Sequence, residues 1–194
     1  MRLFIDLDSV VVDFVHNIAQ HFKIPKDEFY RRWPVGVYDV YHAVGITNDE
    51  LWAAMHQLDD SFWESMPEFS WSKELWEKCN TYGETHFLTA PVSNPACLAG
   101  KYKWMQNFTN DKEFNRYFIG KAKWCCARWN HILIDDKESN VSSFQREGGE
   151  AILFPAHGNK LHSLSQNPMP YFHEELDRIV HSIWEKEAAS ILGA

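Results

Sequence analysis

Two aspartates that follow a short apolar run near the start of the chain constrain its fold more than any other feature. Residues 3–5 are Leu-Phe-Ile, and Asp6 and Asp8 come directly after them. A short apolar run of this kind is typical of a buried parallel strand, and α/β folds place ligands at the carboxyl ends of such strands. Two carboxylates this close repel each other unless a cation or a shared proton compensates. We therefore expect a charged site at the end of this strand.

A second acidic pair, Asp135 and Asp136, follows another apolar run at residues 131–134. Carboxyl ends of parallel strands meet at one edge of a sheet, so the two pairs are expected to lie together. Carboxylate and water oxygens are the ligands that Mg²⁺ prefers. The sequence predicts one Mg²⁺ site that draws on Asp6, Asp8, Asp135 and Asp136.

Short apolar segments alternate with helical patterns over much of the chain. Strands are predicted at residues 3–6, 86–89, 116–119, 132–135 and 151–154. Helices are predicted from Asn94-Pro95, with Asn94 as the N-cap and Pro95 as the first helical residue, to about residue 108, over residues 140–147, and in a final amphipathic segment that includes residues 172–184. This alternation favours an α/β, Rossmann-like parallel sheet with helices on both faces.

The interval between the first two strands breaks this alternation, because its pattern is helical almost throughout. Thr47-x-x-Glu50 matches a capping box, and Ser70 or Ser72 is expected to cap a helix that runs through Cys79. Residues 31–41 are predicted to form a loop. We interpret residues 15–70 as a small helical cap inserted after the first strand, and residues 1–14 and 71–194 as the catalytic core.

Composition narrows the class of partner. The chain has 194 residues, with 19 basic and 27 acidic side chains and a net charge of −8. This balance argues against a broad footprint on duplex nucleic acid, and we expect no stable nucleic-acid partner. Its four cysteines form no CxxC pair and are expected to be reduced. No apolar run approaches the roughly 18 residues of a membrane span, so we expect no membrane association.

The strand-end residues together suit phosphoryl transfer. Asp6 is placed to attack phosphorus, and Asp8 to protonate the leaving alkoxide and then activate water. Thr89 ends the second predicted strand, where its hydroxyl and the backbone at Ala90 could hold phosphate oxygens. A lysine after the third strand would neutralise phosphate charge. Lys121 and Lys123 both fit this role, and Lys123 is favoured because a helix-length spacer separates it from the acidic pair.

The ordered set of Asp6-x-Asp8, Thr89, Lys123 and Asp135-Asp136 resembles the four motifs of the haloacid dehalogenase superfamily. The resemblance implies that superfamily's Rossmann-like fold, Mg²⁺ as cofactor and an aspartyl-phosphate intermediate. Ser9 departs from the pattern, since it stands where the superfamily commonly has glycine.

Within the superfamily, the likeness over residues 3–155 is closest to 5′(3′)-deoxyribonucleotidases, including bacterial and phage members. Residues 4–14, 62–66, 88–91 and 133–137 carry it, together with Lys101 and Trp104. The resemblance implies a nucleoside monophosphate as substrate and a cytoplasmic location in a bacterial cell or a phage-infected host. It leaves a homodimer open.

Two other readings remain open at this point: a phosphatase for a sugar phosphate or a nucleic-acid 3′ end, and a nucleotide-binding module with vestigial activity. Among the aromatic residues of the cap, Trp33 or Phe62 is expected to face a nucleobase, while the others pack in the core. Lys101 and Lys103 are expected on a solvated helix surface, with Lys101 in a supporting position behind the site as the alternative.

Overall fold

A five-stranded parallel sheet forms the centre of the molecule. The computed structural model describes residues 1–192. Its strands are β1 (Arg2–Ile5), β2 (Glu84–Thr89), β3 (Tyr117–Ile119), β4 (His131–Asp135) and β5 (Glu150–Leu153). They are arranged in the order β3-β2-β1-β4-β5, and every pairing between neighbours is parallel. The α/β, Rossmann-like prediction is confirmed, and all five strands lie within two residues of their predicted positions.

Helices account for most of the remaining chain. They are α1 (Phe14–His21), α2 (Lys26–Arg32), α3 (Tyr41–Val44), α4 (Asn48–Met55), α5 (Asp60–Glu64), α6 (Ser72–Tyr82), α7 (Pro95–Thr109), α8 (Glu138–Arg146) and α9 (Met169–Leu192). Two short 3₁₀ helices, Lys123–Cys126 and His162–Leu164, complete the set within residues 1–192. No helix in this part of the chain combines the length and apolarity that crossing a membrane requires.

The strand order places a topological switch point at β1. From β1 the chain builds outward through β2 to β3, and it then crosses back to place β4 and β5 on the other side. The connections that follow β1 and its neighbour β4 run in opposite directions, to β2 and to β5. A crevice opens between the carboxyl ends of two such strands, and ligands of open α/β sheets bind there. Asp6 and Asp135 lie at this crevice.

The two faces of the sheet are covered unequally. Leu3 and Ile5 of β1 face a large hydrophobic cluster that includes side chains of α6, α7 and α9. Phe4 points to the opposite face, whose smaller cluster is closed mainly by Phe144 of α8 and by Ala127. This alternation follows from the two-residue period of a strand. The 3₁₀ helix after β3 takes the place where a longer crossover helix would cover the second face.

The five helices between β1 and α6 form an insertion whose two ends are tied together. Val12 pairs with Glu68 in an isolated antiparallel bridge, and the Phe69 amide donates to the Val11 carbonyl over 3.2 Å. The insertion also packs on the core, chiefly through α5 against α7, and its buried side chains belong to the same cluster as those of the core. The division of the chain into a cap of residues 15–70 and a core stays a prediction. The last two residues of the predicted core, 193–194, lie outside the described range.

The structure corrects one predicted helix cap and supports two others. Neither Ser70 nor Ser72 caps α6, because Trp71 occupies the N-cap position and the Ser72 hydroxyl donates to the Val11 carbonyl instead. The Thr47–Glu50 capping box opens α4 as predicted. The Asn94 side chain accepts from the Ala96 amide at the start of α7, also as predicted.

Candidate active site

The turn after β1 holds Asp6 and Asp8 in fixed positions. The backbone amides of Val10, Val11 and Val12 all donate to the Leu7 carbonyl, and the three valines are completely buried. Ser9 adopts a left-handed conformation with φ of +62°, which glycine adopts at lower cost than any residue with a Cβ. The mismatch marked in the sequence at Ser9 therefore lies at a position where glycine would fit the backbone better.

Three aspartates from two strand ends form a buried acidic cluster. Carboxylate oxygens of Asp6, Asp135 and Asp136 all lie within 4.8 Å of one another, and each residue is at most 6% exposed. Burial raises the pKa of Asp136 well above its usual value, and the negative charges of Asp135 and Asp6 raise it further. Charges this crowded favour a bound cation.

Lys123 compensates part of this negative charge. Its Nζ lies 2.8 Å from Asp6 Oδ1 and 2.6 Å from Asp135 Oδ2, and the side chain is only 1% exposed. Burial alone would lower the pKa of Lys123, but the two carboxylates outweigh it and raise the pKa above the usual lysine value. Lys121 is exposed and lines the cavity described below. The structure thus brings Lys123, and not Lys121, into contact with the acidic cluster.

Asp135 and Asp136 differ in whether they have a carboxylate oxygen without a hydrogen-bond partner, which could bind a metal. Both oxygens of Asp135 accept hydrogen bonds, from Lys123, from Asn140 and from the Lys137 amide. Asp136 Oδ1, in contrast, is buried without a hydrogen-bond partner within residues 1–192. Burial raises the pKa of Asp135 to about 6, although the Lys123 charge opposes the rise. Asp136 is therefore the better direct ligand of the pair.

A buried asparagine that the sequence analysis missed fixes this acidic turn. The Asn159 side-chain amide donates to the carbonyls of Asp136 and Phe154, both at 2.8 Å. Its Oδ1 accepts from the Leu161 amide at 2.9 Å. Because these bonds hold the Asp136 backbone from behind, Asn159 limits how far the acidic turn can shift. An asparagine far from the motifs carries no sequence signal for such a role.

A second buried lysine, Lys101, contacts the carboxylate of Asp8. Its Nζ donates to Asp8 Oδ2 at 2.6 Å, to Thr89 Oγ1 at 2.8 Å and to the Ala90 carbonyl at 2.9 Å. The expectation of a solvated surface position is wrong for Lys101, which is 1% exposed. It is correct for Lys103, whose exposed side chain pairs with Asp60. The supporting position that the sequence analysis gave as an alternative is the one observed.

Asp8 is held by this lysine but keeps one oxygen free. Burial raises the pKa of Asp8, the Lys101 charge lowers it, and the neighbouring Asp6 raises it, with a net upward shift. Asp8 Oδ1 accepts no hydrogen bond from the described chain. A carboxyl group with a raised pKa and a free oxygen is suited to proton transfer.

The charge balance of the site leaves room for a divalent cation. Four carboxylates, those of Asp6, Asp8, Asp135 and Asp136, face the two buried lysines. Two negative charges thus remain uncompensated by side chains, and the unpartnered Asp136 oxygen lies among them. An all-oxygen set of this kind suits Mg²⁺, so the residues fit the predicted cofactor.

A cavity of about 590 Å³ opens above this cluster. Asp6, Asp8, Lys123 and Asp136 form its floor, and Ala90 and its neighbours through Ser93 form one side. Side chains of the insertion form the opposite wall. Ala90 lines the cavity, and its role in binding phosphate stays a prediction. Thr89 is completely buried and is not part of the cavity lining, because its hydroxyl points to Lys101; the predicted direct contact between Thr89 and phosphate has no support in this geometry.

The two aromatic residues predicted to face a nucleobase differ in position. Trp33 borders the cavity but is 5% exposed, and its indole donates to the Val37 carbonyl at 2.7 Å. Phe62 is not part of this lining; it borders a separate shallow depression with Asn17 and His21. The prediction for Phe62 is corrected, because α5 turns this ring toward α1.

Tyr38 and Trp52 are the exposed aromatic side chains of the cavity wall that the sequence analysis missed. They are 43% and 38% exposed, respectively, and both line the cavity. The negative charge of Asp136 raises the pKa of Tyr38 well above its usual value, and burial and the other acids add to the shift, so its phenol stays neutral at physiological pH. The Lys137 ammonium lies 4.6 Å from the centre of the Tyr38 ring.

Comparison with known proteins gives only distant likenesses. No protein-family model matches the chain, and no curated protein sequence matches it significantly. The solved structures that are similar to it include a phosphonoacetaldehyde hydrolase-like protein from Oleispira antarctica, with 13% identity and a TM-score of 0.49 over 95% of this chain and 83% of the other. A hydrolase from Pseudomonas syringae has 15% identity and a TM-score of 0.48 over 92% and 90% of the two chains.

A third structure, a HAD family enzyme from Bacteroides thetaiotaomicron in complex with magnesium and inorganic phosphate, has 13% identity and a TM-score of 0.40. The alignment covers 84% of this chain and 98% of the other. Likenesses at this level are too low to carry a family or a reaction over to this chain.

Proposed function

We propose that this protein is a Mg²⁺-dependent phosphomonoesterase of the haloacid dehalogenase type. One observation carries the proposal: Asp6 and Asp8 lie two residues apart on a cavity floor, each in contact with its own buried lysine, Lys123 and Lys101. A site with one carboxylate for attack, one for proton transfer and cations to offset a phosphate suits hydrolysis through a covalent intermediate.

The proposed reaction has two steps. Asp6 attacks phosphorus and forms an acyl-phosphate bond, while the ester P–O bond breaks and Asp8 gives its proton to the departing alkoxide. Asp8 then takes a proton from water as the water oxygen attacks the phosphorus of the intermediate, which releases inorganic phosphate and restores Asp6. Lys123 offsets the charge of Asp6 and of the incoming phosphate throughout.

Mg²⁺, when bound, would supply positive charge that lets an anionic phosphate approach an anionic Asp6. Asp6, Asp136 and the Asp8 backbone carbonyl are the proposed protein ligands. Asp135 is assigned an indirect role, because its oxygens are already occupied by donors of the protein. Lys101 is assigned the role of positioning Asp8 and the backbone at Ala90.

We further propose a nucleoside monophosphate, with a deoxyribonucleotide favoured, as the small substrate. The cavity volume of about 590 Å³ is within the range of pockets for small organic ligands. Tyr38 and Trp52 present aromatic surface on the cavity wall that the insertion forms, where a planar base could stack. In this proposal residues 15–70 act as the cap that supplies this wall.

Phosphate release tests the proposal most directly. The wild-type protein with Mg²⁺ should hydrolyse deoxyribonucleoside monophosphates more efficiently than ribonucleotides or sugar phosphates. The Asp6→Asn variant should lose activity entirely. Asp39→Asn is the matched control, since Asp39 also lines the cavity but is exposed; it should keep activity. Full hydrolysis by Asp6→Asn would exclude the mechanism, and a preference for sugar phosphates would exclude the proposed substrate.

A further inference from the structure

One segment of this acidic chain contains no acidic residue. Residues 114–134 include neither aspartate nor glutamate, although the whole chain has 27 of them. The segment comprises β3, the 3₁₀ helix Lys123–Cys126 and the crossover to β4. The phosphatase mechanism uses only Lys123 from it. The mechanism therefore assigns no role to the exposed side chains of this segment.

Three large aromatic side chains of this segment are open to solvent. Phe118 is 47%, Trp124 45% and Trp129 51% exposed. Two exposed cations, Lys121 and Arg128, alternate with them along the chain. Neither cation takes part in an ion pair among those found in residues 1–192. We name these five residues the crossover strip.

Contacts beneath the crossover strip place it on one face of the sheet. Phe118 lies in register with Leu88, and its ring centre is 6.0 Å from that of Phe4. The Phe4 ring is in turn 5.4 Å from His131, which follows Trp129 by two residues. Phe4 and Leu88 belong to the smaller core cluster. Phe118 thus lies on the thinly covered face, and Ala127, which directly precedes Arg128, belongs to the same cluster; a short 3₁₀ helix here replaces a long crossover helix.

The crossover strip is continuous with the proposed active site. Lys121 lines the cavity above Asp6, and Trp124 directly follows Lys123, whose ammonium contacts Asp6. From there the chain continues through the 3₁₀ helix to Trp129, two residues before the start of β4. A ligand that enters the cavity with a phosphate group can therefore extend over Lys121 and the exposed rings without crossing an acidic side chain of this segment.

We propose that the crossover strip binds single-stranded nucleic acid, whose terminal phosphate occupies the active-site cavity. Trp124, Trp129 and Phe118 stack on bases, and Lys121 and Arg128 contact backbone phosphates. Stacking rings that alternate with cations are the means by which proteins bind single strands without sequence preference. The inference rests on the proposed phosphatase function and extends its substrate from a mononucleotide to a strand end.

Charge and continuity favour this occupant over the others. A second copy of the chain, although its net charge is −8, would bring the same basic strip to a twofold contact, so cation would face cation. An acidic peptide would match the charge, but it has no terminal phosphate to enter the cavity. The acidic remainder of the protein argues against broad duplex binding, and it does not oppose a strand held on this one local strip.

The test uses a fluorescein-labelled oligothymidylate of about ten nucleotides with a terminal phosphate, a length within the range of known single-strand sites. Fluorescence anisotropy is measured with EDTA, so that no turnover occurs. The variant Arg128→Gln/Trp129→Ala should weaken binding at least tenfold. Arg31→Gln/Trp184→Ala is the matched control, since Trp184 is 49% exposed on α9 and Arg31 is exposed on α2; it should bind like the wild type.

Turnover measurements distinguish the strip proposal from the proposed phosphatase function on which it rests. With Mg²⁺, Arg128→Gln/Trp129→Ala should raise KM for the phosphorylated oligonucleotide at least tenfold and leave mononucleotide hydrolysis unchanged. If the wild-type protein binds the oligonucleotide but shows no phosphatase activity, the proposed function is refuted and the strip proposal stands. Equal oligonucleotide binding by both double variants would overturn the strip proposal. So would displacement of the oligonucleotide by polyglutamate at equal charge, or a wild-type dimer in sedimentation that the Trp129 change dissociates.

Discussion

The floor and the outer wall of the cavity are built in opposite ways. On the floor, Lys101 and Lys123 are 1% exposed and each contacts at least one carboxylate within 2.8 Å. On the wall, Tyr38 and Trp52 are 43% and 38% exposed. The floor comes from strand ends, α7 and the 3₁₀ helix of the core, and the wall comes from the helical insertion.

This difference separates chemistry from recognition. Buried charges hold one geometry, because any displacement leaves a charge without a partner in a region of low dielectric constant. Exposed rings on a short helix and a loop can be replaced without disturbing such pairs. We therefore expect substitutions on the floor to change turnover and metal binding, and substitutions on the wall to change substrate affinity.

The largest effect is expected for Lys123→Met. The loss of the cation that faces Asp6 and Asp135 should lower kcat by roughly 10²–10³-fold, the scale of removing one transition-state charge contact. It should also destabilise the metal-free protein by about 3–5 kcal/mol, because the carboxylates are left buried without a partner. Steady-state kinetics and thermal unfolding would measure both. Lys121→Met, two residues away and exposed, should stay within tenfold of the wild type; the reverse order of effects would assign the phosphate-binding role to Lys121.

A smaller loss is expected for Lys101→Met. Without its ammonium, Asp8 loses the hydrogen bond that orients it and the charge that lowers its pKa. Since a positioned acid–base group contributes about 10²–10⁴-fold, kcat should fall by roughly 10²-fold, with the pH–rate profile displaced to higher pH. Lys103→Met is the control on the same helix, and its rate and profile should match the wild type. An unshifted pH profile in Lys101→Met would show that Lys101 acts on something other than Asp8.

Asp136→Asn and Asp135→Asn should differ in Mg²⁺ binding. Loss of Asp136 should weaken Mg²⁺ affinity by at least 10–100-fold, the range for changes to the supporting shell of a metal site. It should also raise the melting temperature of the metal-free protein, by about 2–4 °C for each 1 kcal/mol of repulsion removed. Asp135→Asn leaves Lys123 with one carboxylate and should lower that temperature. Calorimetric Mg²⁺ titration and thermal unfolding would show whether the two residues have these roles or the reverse.

The smallest effect is expected on the wall. Trp52→Ala removes an aromatic surface worth about 0.5–1.5 kcal/mol to a stacked ring, so KM for a nucleoside monophosphate should rise by ~2–10-fold while kcat stays near the wild-type value. Phe62→Ala is the control: this ring does not line the cavity but packs behind Phe14 and Trp63, which do, so its loss should reduce stability and change KM less than Trp52→Ala does. A fall in kcat with constant KM for Trp52→Ala would place the wall in the chemistry and break the comparison.

The sequence determined the sheet and the acids on its edge. Apolar runs that end in Asp6 and Asp135 predict strands and ligand positions together, because the carboxyl end of a parallel strand is both where the run stops and where a crevice opens. Lys123 was favoured over Lys121 because of its spacing from the acidic pair, and spacing along a short stretch of chain can be read from the sequence. The observed contacts of Lys123 with Asp6 and Asp135 agree with that choice. Ser9 was marked by its type alone, and its positive φ gives the physical reason.

Only the tertiary structure decided which side chains turn inward. Lys101 reaches Asp8 from α7 and Asn159 holds Asp136 from a distant loop, and both contacts join residues more than 20 positions apart. For the same reason Thr89 faces Lys101, Phe62 faces α1, and Tyr38 and Trp52 face the cavity. The direction of a side chain on a helix or loop depends on what packs against that element. Local spacing therefore determined the carboxylates proposed to react, and the packing of the core helices and loops around the sheet determined their partners.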